Sequence, residues 1–220
     1  RVGAAASRAQ APDAASELYR QPPVPGGKGQ IREGLHYAWG AWRLRVPILM
    51  MAVVATLAFN YSVILPLFAT VFAGGAGTYS AMTTAMGIGA LVGALAVASC
   101  RRPGYRLLVL VTLVFGAATV VTAAAPSLPL MLALLAPTGA ASVVFVATTN
   151  YLLQLHTSDA MRGRVMALWS MVSLGFTPIG GPLTGTAAAH LGARWAMALG
   201  GVAVLLTAGA AALALRKIRE

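Results

Sequence analysis

Six long apolar runs, separated by short basic segments, constrain this sequence more than any other feature. Each run reaches about 20 residues, the length that a helix needs to cross the hydrocarbon core of a bilayer. None of the five acidic residues lies inside a run. The chain is therefore predicted to be an integral membrane protein with spans at about 46–72, 79–99, 106–125, 128–154, 165–189 and 195–215.

The composition excludes an ordinary soluble domain. Hydrophobic residues make up 58% of the chain and charged residues 10%, and the mean hydropathy is +0.76. Soluble domains carry about 25% charged residues. Backbone polar groups cannot stay unpaired in hydrocarbon, so each run is predicted to be α-helical. Four prolines inside the runs predict bends, at Pro66, Pro137, Pro178 and Pro182.

The basic residues are distributed asymmetrically between the two ends of the runs. With the N-terminal segment in the cytoplasm, 15 of the 16 Lys and Arg residues lie on that side, and only Arg194 lies outside. The positive-inside rule then predicts that both termini are cytoplasmic. Arginine outnumbers lysine 14 to 2, and alanine and glycine are abundant, which favours a bacterial source and hence the inner membrane.

The segments that flank the runs are predicted to be short or flexible. Residues 1–30 are rich in Ala, Pro and Gly, which is typical of a cytoplasmic linker, and residues 216–220 form a cytoplasmic C-terminus. Between 31 and 45, one helical face carries Ile31, Leu35, Trp39 and Trp42. This stripe indicates either an amphipathic helix in the membrane interface or a polar lead-in to the first span.

The runs repeat in threes. The first and fourth carry polar residues and a proline in mid-span, and the second and fifth are rich in glycine. The third and sixth contain little beyond apolar residues and scattered threonines. Two triplets of opposite membrane orientation are typical of an inverted repeat in secondary transporters.

Several segments together resemble the major facilitator superfamily, in the branch of macrolide-efflux and siderophore-export proteins. They are Ile31 to Leu35, Leu65 to Phe68, Gly87 to Ala94, Asn150 to Leu155, Asp159 to Leu168 and Gly175 to Gly181. The resemblance runs from about residue 31 to 215 and implies an all-α membrane fold. It implies the C-terminal half of a twelve-helix exporter, with the N-terminal six-helix half absent and the chain a fragment. Ser158 and Ala160 depart from the family pattern, which has Pro and Glu around the Asp.

Two groups of polar side chains are candidates for the wall of a substrate cavity. Asn60 and Tyr61 lie in mid-span of the first run, where an unpaired amide costs several kcal/mol. The second group shares one face of the fourth helix: Thr138, Ser142, Phe145 and Thr149. Such a face suits a drug-like molecule. Hydrogen bonding and packing between helices remain alternatives for both groups.

Glycine pairs and a basic loop are the other candidates. Gly89 and Gly93 form one GxxxG pair and Gly181 and Gly185 another, a spacing that lets two helix backbones approach. Pro182, inside the second pair, suggests a bend that alternating access uses. The resemblance also suggests a cytoplasmic gate in which Arg162 or Arg164 pairs with Asp159 or with the absent half. The alternative is simple anchoring at the interface.

Other classes of function are excluded by what the runs lack. No histidine or carboxylate lies in mid-span, so an enzyme with buried acid–base or nucleophilic groups is not expected. No spacing indicates a metal site or a phosphate-binding loop, and no cofactor is expected. The bases form no aromatic-interleaved patch for nucleic acid. Expected partners are the lipid bilayer and a small molecule.

The resulting hypothesis is half of a secondary transporter that exports a small, largely apolar compound. The resemblance implies coupling to the proton gradient, and the absence of mid-span titratable groups then places the coupling residue in the absent half. Two alternatives stay open: a non-transporting six-helix membrane protein, and a half-transporter that works as a homodimer.

Overall fold

The computed structural model describes residues 30–72, 74–100 and 103–217, so most of the predicted linker, Arg101, Arg102 and the last three residues lie outside the described residues. Within these ranges the chain forms nine α-helices and no strand. They are α1 (Gln30–Gly40), α2 (Trp42–Leu57), α3 (Tyr61–Val71), α4 (Ala76–Ser99), α5 (Tyr105–Ala123), α6 (Leu128–His156), α7 (Asp159–Gly175), α8 (Thr177–Leu191) and α9 (Ala193–Lys217).

Five of the predicted runs are confirmed as stretches long and apolar enough to cross a membrane. They are Trp42–Val71, which comprises α2 and α3, then α4, α5 and α6, and finally Ala193–Leu215. The run over 165–189 was predicted as one helix with bends at Pro178 and Pro182, and in the structure it is two helices. That run is divided between α7, with 17 residues, and α8, with 15.

The division between α7 and α8 falls at Phe176, and Pro178 explains it. Proline has no N–H to donate, and its ring collides with the carbonyl four residues earlier. In a continuous helix that carbonyl would belong to Leu174, so α7 ends at Gly175. Pro178 then lies in the first turn of α8, where a missing N–H costs nothing. Together the two helices form a jointed fifth span.

The first span is also jointed, between α2 and α3, but Pro66 is not the cause because it lies inside α3. At the joint, the Phe59 N–H bonds to the Val54 carbonyl at 3.1 Å. The Asn60 side-chain amide donates to the Thr56 carbonyl at 2.7 Å. That carbonyl would accept the backbone N–H of residue 60 in a continuous helix, so the side chain replaces the lost backbone donor.

The helices pair in the pattern that a three-plus-three repeat requires. The second span (α4) packs against the fourth (α6), and the fifth (α7–α8) packs against the first (α2). A repeat that relates the first span to the fourth and the second to the fifth makes these two pairs equivalent. The third and sixth spans pair with each other, where Gly116 and Gly201 bring α5 and α9 together.

Two clusters of buried side chains fill the bundle. One lies near the α2–α3 joint and the ends of α5, α6 and α7, and includes Leu44, Phe115, Phe145 and Leu152. The other lies at the opposite end, and includes Phe68, Met82, Met131 and Met197. The fold is therefore an all-α membrane bundle, and its three-plus-three pairing agrees with the architecture that the resemblance implies.

Candidate functional site

A cavity of about 450 Å³ lies between α6 and α7. Its volume is in the range of sites for small molecules, which run from about 300 to 1,000 Å³. One wall is a face of α6 and the other is a single side chain of α7. The lining residues are Ser142, Val143, Val146, Ala147, Asn150, Tyr151 and Gln154 from α6, and Trp169 from α7.

The lining of the cavity is apolar at one end and richer in amide groups at the other. Positions 142, 146, 150 and 154 recur every four residues, so they follow one side of α6. The Gln154 amide donates to Asn150 Oδ1, which orients both amides. Trp169 supplies an aromatic wall, and its buried indole N–H has no hydrogen-bond partner among the described residues. No charged side chain of the described chain lines the cavity.

The predicted stripe on α6 lies beside this face. Ser142 belongs to both, and its hydroxyl donates to the Gly139 carbonyl at 2.8 Å. Thr138, Phe145 and Thr149 are fully buried and point into the bundle. The Thr138 hydroxyl lies 3.0 Å from that of Thr122 on α5. Their proposed contact with a substrate stays a prediction.

Asn60 and Tyr61 lie at the α2–α3 joint and do not line this cavity. Asn60 is 1% exposed and packs against α8, where a Cβ on Gly180 would come within 2.7 Å of its side-chain nitrogen. The buried Tyr61 hydroxyl faces Thr119 of α5. The structure therefore places both residues at contacts between helices.

The basic segment at the start of α7 forms two ion pairs. Arg162 binds Asp159 at 2.7 Å, one helical turn earlier. Arg164 binds Glu33 of α1 at 2.6 Å. The predicted partners were Asp159 and the absent half, and Glu33 was missed. The two residues of the second pair are 131 positions apart, and no spacing rule connects them.

The two GxxxG pairs have different surroundings. A Cβ on Gly89 would overlap the carbonyl oxygen of Ala136, and one on Gly93 would overlap that of Ala140, so α4 and α6 touch backbone to backbone. A Cβ on Gly181 or Gly185 would meet nothing within 4 Å. The close contact of α8 is made by Gly180.

Pro182 lies inside α8, six residues beyond the joint at Phe176. The helix is continuous at Pro182, and the break in this region occurs before Pro178 instead. The signal that locates the joint is therefore the earlier proline.

Five polar or aromatic residues of this region were not among the predicted site residues: Asn150, Tyr151, Gln154, Trp169 and Glu33. Asn150 and Gln154 were visible as polar residues at the end of a span, and they belong to a segment on which the family resemblance rests. Trp169 is one of four tryptophans in the chain, and nothing in its local sequence marks it as a cavity wall. No cluster of three His, Cys, Asp or Glu side chains suited to a metal occurs in the described part of the chain.

Comparison with known proteins assigns the family. A family model described as transmembrane secretion effector, within the major facilitator superfamily, matches residues 21–220. Neither the curated proteins nor the solved structures contain a match to the chain. The family consists of membrane transporters rather than enzymes. Because the match covers most of the sequence, the chain belongs to the transmembrane secretion effector family of the major facilitator superfamily.

Proposed function

We propose that this chain is the C-terminal six-helix bundle of a bacterial exporter, and that the cavity between α6 and α7 forms part of its substrate path. The observation that carries the proposal is the cavity itself, with its volume of about 450 Å³ and its mixed lining. Apolar walls with a few hydrogen-bonding groups are typical of sites for small organic molecules. Alternating access then moves the compound across the membrane.

The lining favours an uncharged or weakly charged substrate. Tyr151 and Trp169 offer aromatic surfaces, and Asn150 and Gln154 offer amide donors and acceptors. A drug-like compound or secondary metabolite with an apolar body and a few polar groups fits this chemistry. The resemblance to macrolide-efflux and siderophore-export proteins points the same way.

The outer faces of two spans support a second bundle as partner. On α4, Leu91 and Leu95 are 64% and 62% exposed, and on α7 Leu174 is 75% exposed. Superfamily transporters consist of two bundles related by an axis along the membrane normal. Exposed apolar faces suit either a second bundle or lipid, and we propose that the N-terminal half covers α4 and α7–α8.

The coupling proton is proposed to bind in that other half. Between their end residues, the six predicted spans contain no Asp, Glu, His, Lys or Arg. A proton-coupled exporter needs a titratable group at depth in the membrane. Proton-coupled transport by this bundle alone in liposomes would contradict the assignment.

The direct test fills the cavity in the full-length protein. Cells that lack their own drug exporters would express the parent or Ala147→Trp, and retention of a lipophilic fluorescent dye would be measured. We expect Ala147→Trp to abolish most of the export because the indole occupies the site. The matched control is Leu206→Trp, which adds a similar ring to a side chain that is 70% exposed on α9.

The outcomes separate the alternatives. Export that survives Ala147→Trp at equal expression removes the cavity from the substrate path. No export by the parent of any compound in a broad panel favours a non-transporting membrane protein. Crosslinking of the chain into pairs, with export by the pair, favours the homodimeric half-transporter.

A further inference from the structure

Helix α1 lies against the first two turns of α7 through three contacts. Glu33 Oε1 pairs with Arg164 Nη1 at 2.6 Å. The Tyr37 hydroxyl lies 3.5 Å from Ser158 Oγ and accepts the Ser158 backbone N–H at 3.4 Å. A Cβ on Gly34 would come within 3.3 Å of Arg164 Cβ, so the helices are in close contact there.

The order of these contacts shows that the two helices run antiparallel. Glu33, early in α1, meets Arg164, whereas Tyr37, one turn later, meets Ser158 at the start of α7. Among the described helices, α1 packs only against α7 and α2. The position of α1 therefore depends on its hold on α7 and on its continuation into α2.

The ion pair in this contact is polar and exposed, whereas Ala38 of α1 is fully buried in the cluster that includes Val165 and Leu168 of α7. The side chains of Arg164 and Glu33 are 33% and 58% exposed. An ion pair in such a setting adds little stability, because water and salt screen it. A contact of this kind can be made and released during a conformational cycle, unlike the backbone contacts of α4 with α6.

The contact reaches α7 from the side away from the cavity. Trp169 lies five residues beyond Arg164, which is about 7.5 Å along the helix and about 140° around it. Trp169 faces the cavity and α6, whereas Arg164 faces α1. The segment that carries both residues is short and has a joint at Phe176.

We propose that α1 is a strap, and that Glu33 and Arg164 are positioning residues that hold α7 away from α6 and so keep the cavity open. When the strap releases, α7 moves onto α6, because burial of the apolar cavity walls is favourable. The strap would thus couple the segment before the bundle to access at the cavity.

Thiol accessibility tests the strap without any measurement of transport. In the full-length protein with Cys100→Ser, an Ala147→Cys substitution places a thiol on the cavity wall. Its modification by N-ethylmaleimide would be timed in lipid nanodiscs. Glu33→Arg and Arg164→Glu each replace the ion pair by a like-charge pair. We expect each to slow modification by about two- to fivefold. The double variant reverses the pair, and we expect it to restore the parent rate.

Arg32→Glu is the matched control, since it reverses an exposed charge on α1 that takes no part in the ion pair with α7. It should leave the modification rate unchanged. If a charge-reversed variant fails to fold, Glu33→Gln replaces it. This milder change should slow the modification of the thiol by a smaller factor. Two outcomes would contradict the strap proposal. Either both single variants are modified at the parent rate, or the double variant is still modified slowly. The exporter proposal could still stand, because dye export reports on it separately.

Discussion

The α4–α6 pair and the α8–α2 pair occupy equivalent places in the three-plus-three repeat, yet they are packed differently. In the first pair, a Cβ added at Gly89 or Gly93 of α4, or at Gly139 of α6, would overlap a carbonyl of the partner helix. The contact therefore extends over more than one turn. In the second pair, Gly180 alone makes such a contact, against Thr56 at the end of α2.

The joints add to this difference. α4 and α6 are continuous over 24 and 29 residues, whereas both members of the other pair belong to jointed spans. The cavity lies between α6, from the tightly packed pair, and α7, from the jointed one. One wall of the site is thus fixed by backbone contacts, and the other belongs to a segment that can move about a joint.

Substitution of Gly89 should give the largest effect on stability. Gly89→Ala places a methyl group where the Ala136 carbonyl lies, so α4 and α6 must separate. We expect a loss of about 1–3 kcal/mol and a fall of about 3–10 °C in the melting temperature in detergent, followed by circular dichroism.

Gly181→Ala is the control for Gly89→Ala, because a Cβ at Gly181 meets nothing within 4 Å. Its effect should stay within about 0.5 kcal/mol. Equal losses in the two variants would show that the pairs are packed alike and would remove the distinction between a fixed and a movable wall.

Gly180 should show an intermediate effect. Gly180→Ala introduces overlap with the Thr56 carbonyl and a close approach to Asn60 Nδ2. Because this is a single contact beside two joints, the helices can shift to relieve it. We expect a cost of about 1 kcal/mol, measured by the same melting experiment, with Gly185→Ala as the control. A cost as large as that of Gly89→Ala would show that the α8–α2 contact is as rigid as the α4–α6 contact.

The joint between α7 and α8 can be removed by Pro178→Ala. The new residue supplies the missing N–H and relieves the collision with the Leu174 carbonyl, so the two helices should merge. We expect amide hydrogen exchange around residues 175–180 to slow by about tenfold, which corresponds to about 1.4 kcal/mol of added local stability in the merged helix. Pro182→Ala, where the helix is already continuous, should change exchange at the joint little. Unchanged exchange in Pro178→Ala would mean that another feature holds the joint.

The spans could be predicted because bilayer thickness sets their length, but the joints could not be placed in the same way. Four prolines inside the predicted runs look alike in the sequence. The helix α6 is continuous past Pro137, and among the four only Pro178 is directly preceded by a break. The joint at Asn60 depends on a side chain that reaches back to a carbonyl. Such a bond becomes visible only when the backbone path is known.

The predicted stripe and the face that lines the cavity are neighbouring faces of α6. Two threonine hydroxyls on α6 bond to the carbonyl four residues earlier, that of Thr138 to Leu134 and that of Thr149 to Phe145, both at 2.8 Å. A threonine can thus be fully buried in the packed core, and polarity alone does not mark the cavity face. The residues that do line it include amides and aromatics at positions that only the packing of α7 against α6 reveals.

The smallest expected effect concerns Tyr37, in the weakly held α1–α7 contact. Hydrogen bonding with the side chain and then the backbone of Ser158 holds the pKa of the Tyr37 phenol below its usual value. A pKa that is lower in the docked state means that docking favours the deprotonated phenol. The contact should therefore strengthen as the pH rises through the docked-state pKa, and this gain should be lost as the pH falls below it.

Ser158→Ala removes the larger cause, so the pKa of Tyr37 should rise toward its usual value. Titration of ¹³C-labelled tyrosine by NMR would measure this, with Tyr37→Phe to assign the signal and Ser99→Ala as a distant control. If the pKa of Tyr37 is unchanged in Ser158→Ala, α1 is not docked on α7 in the membrane. The α7 wall of the cavity would then not be held by α1, and the contrast with the fixed α6 wall would no longer stand.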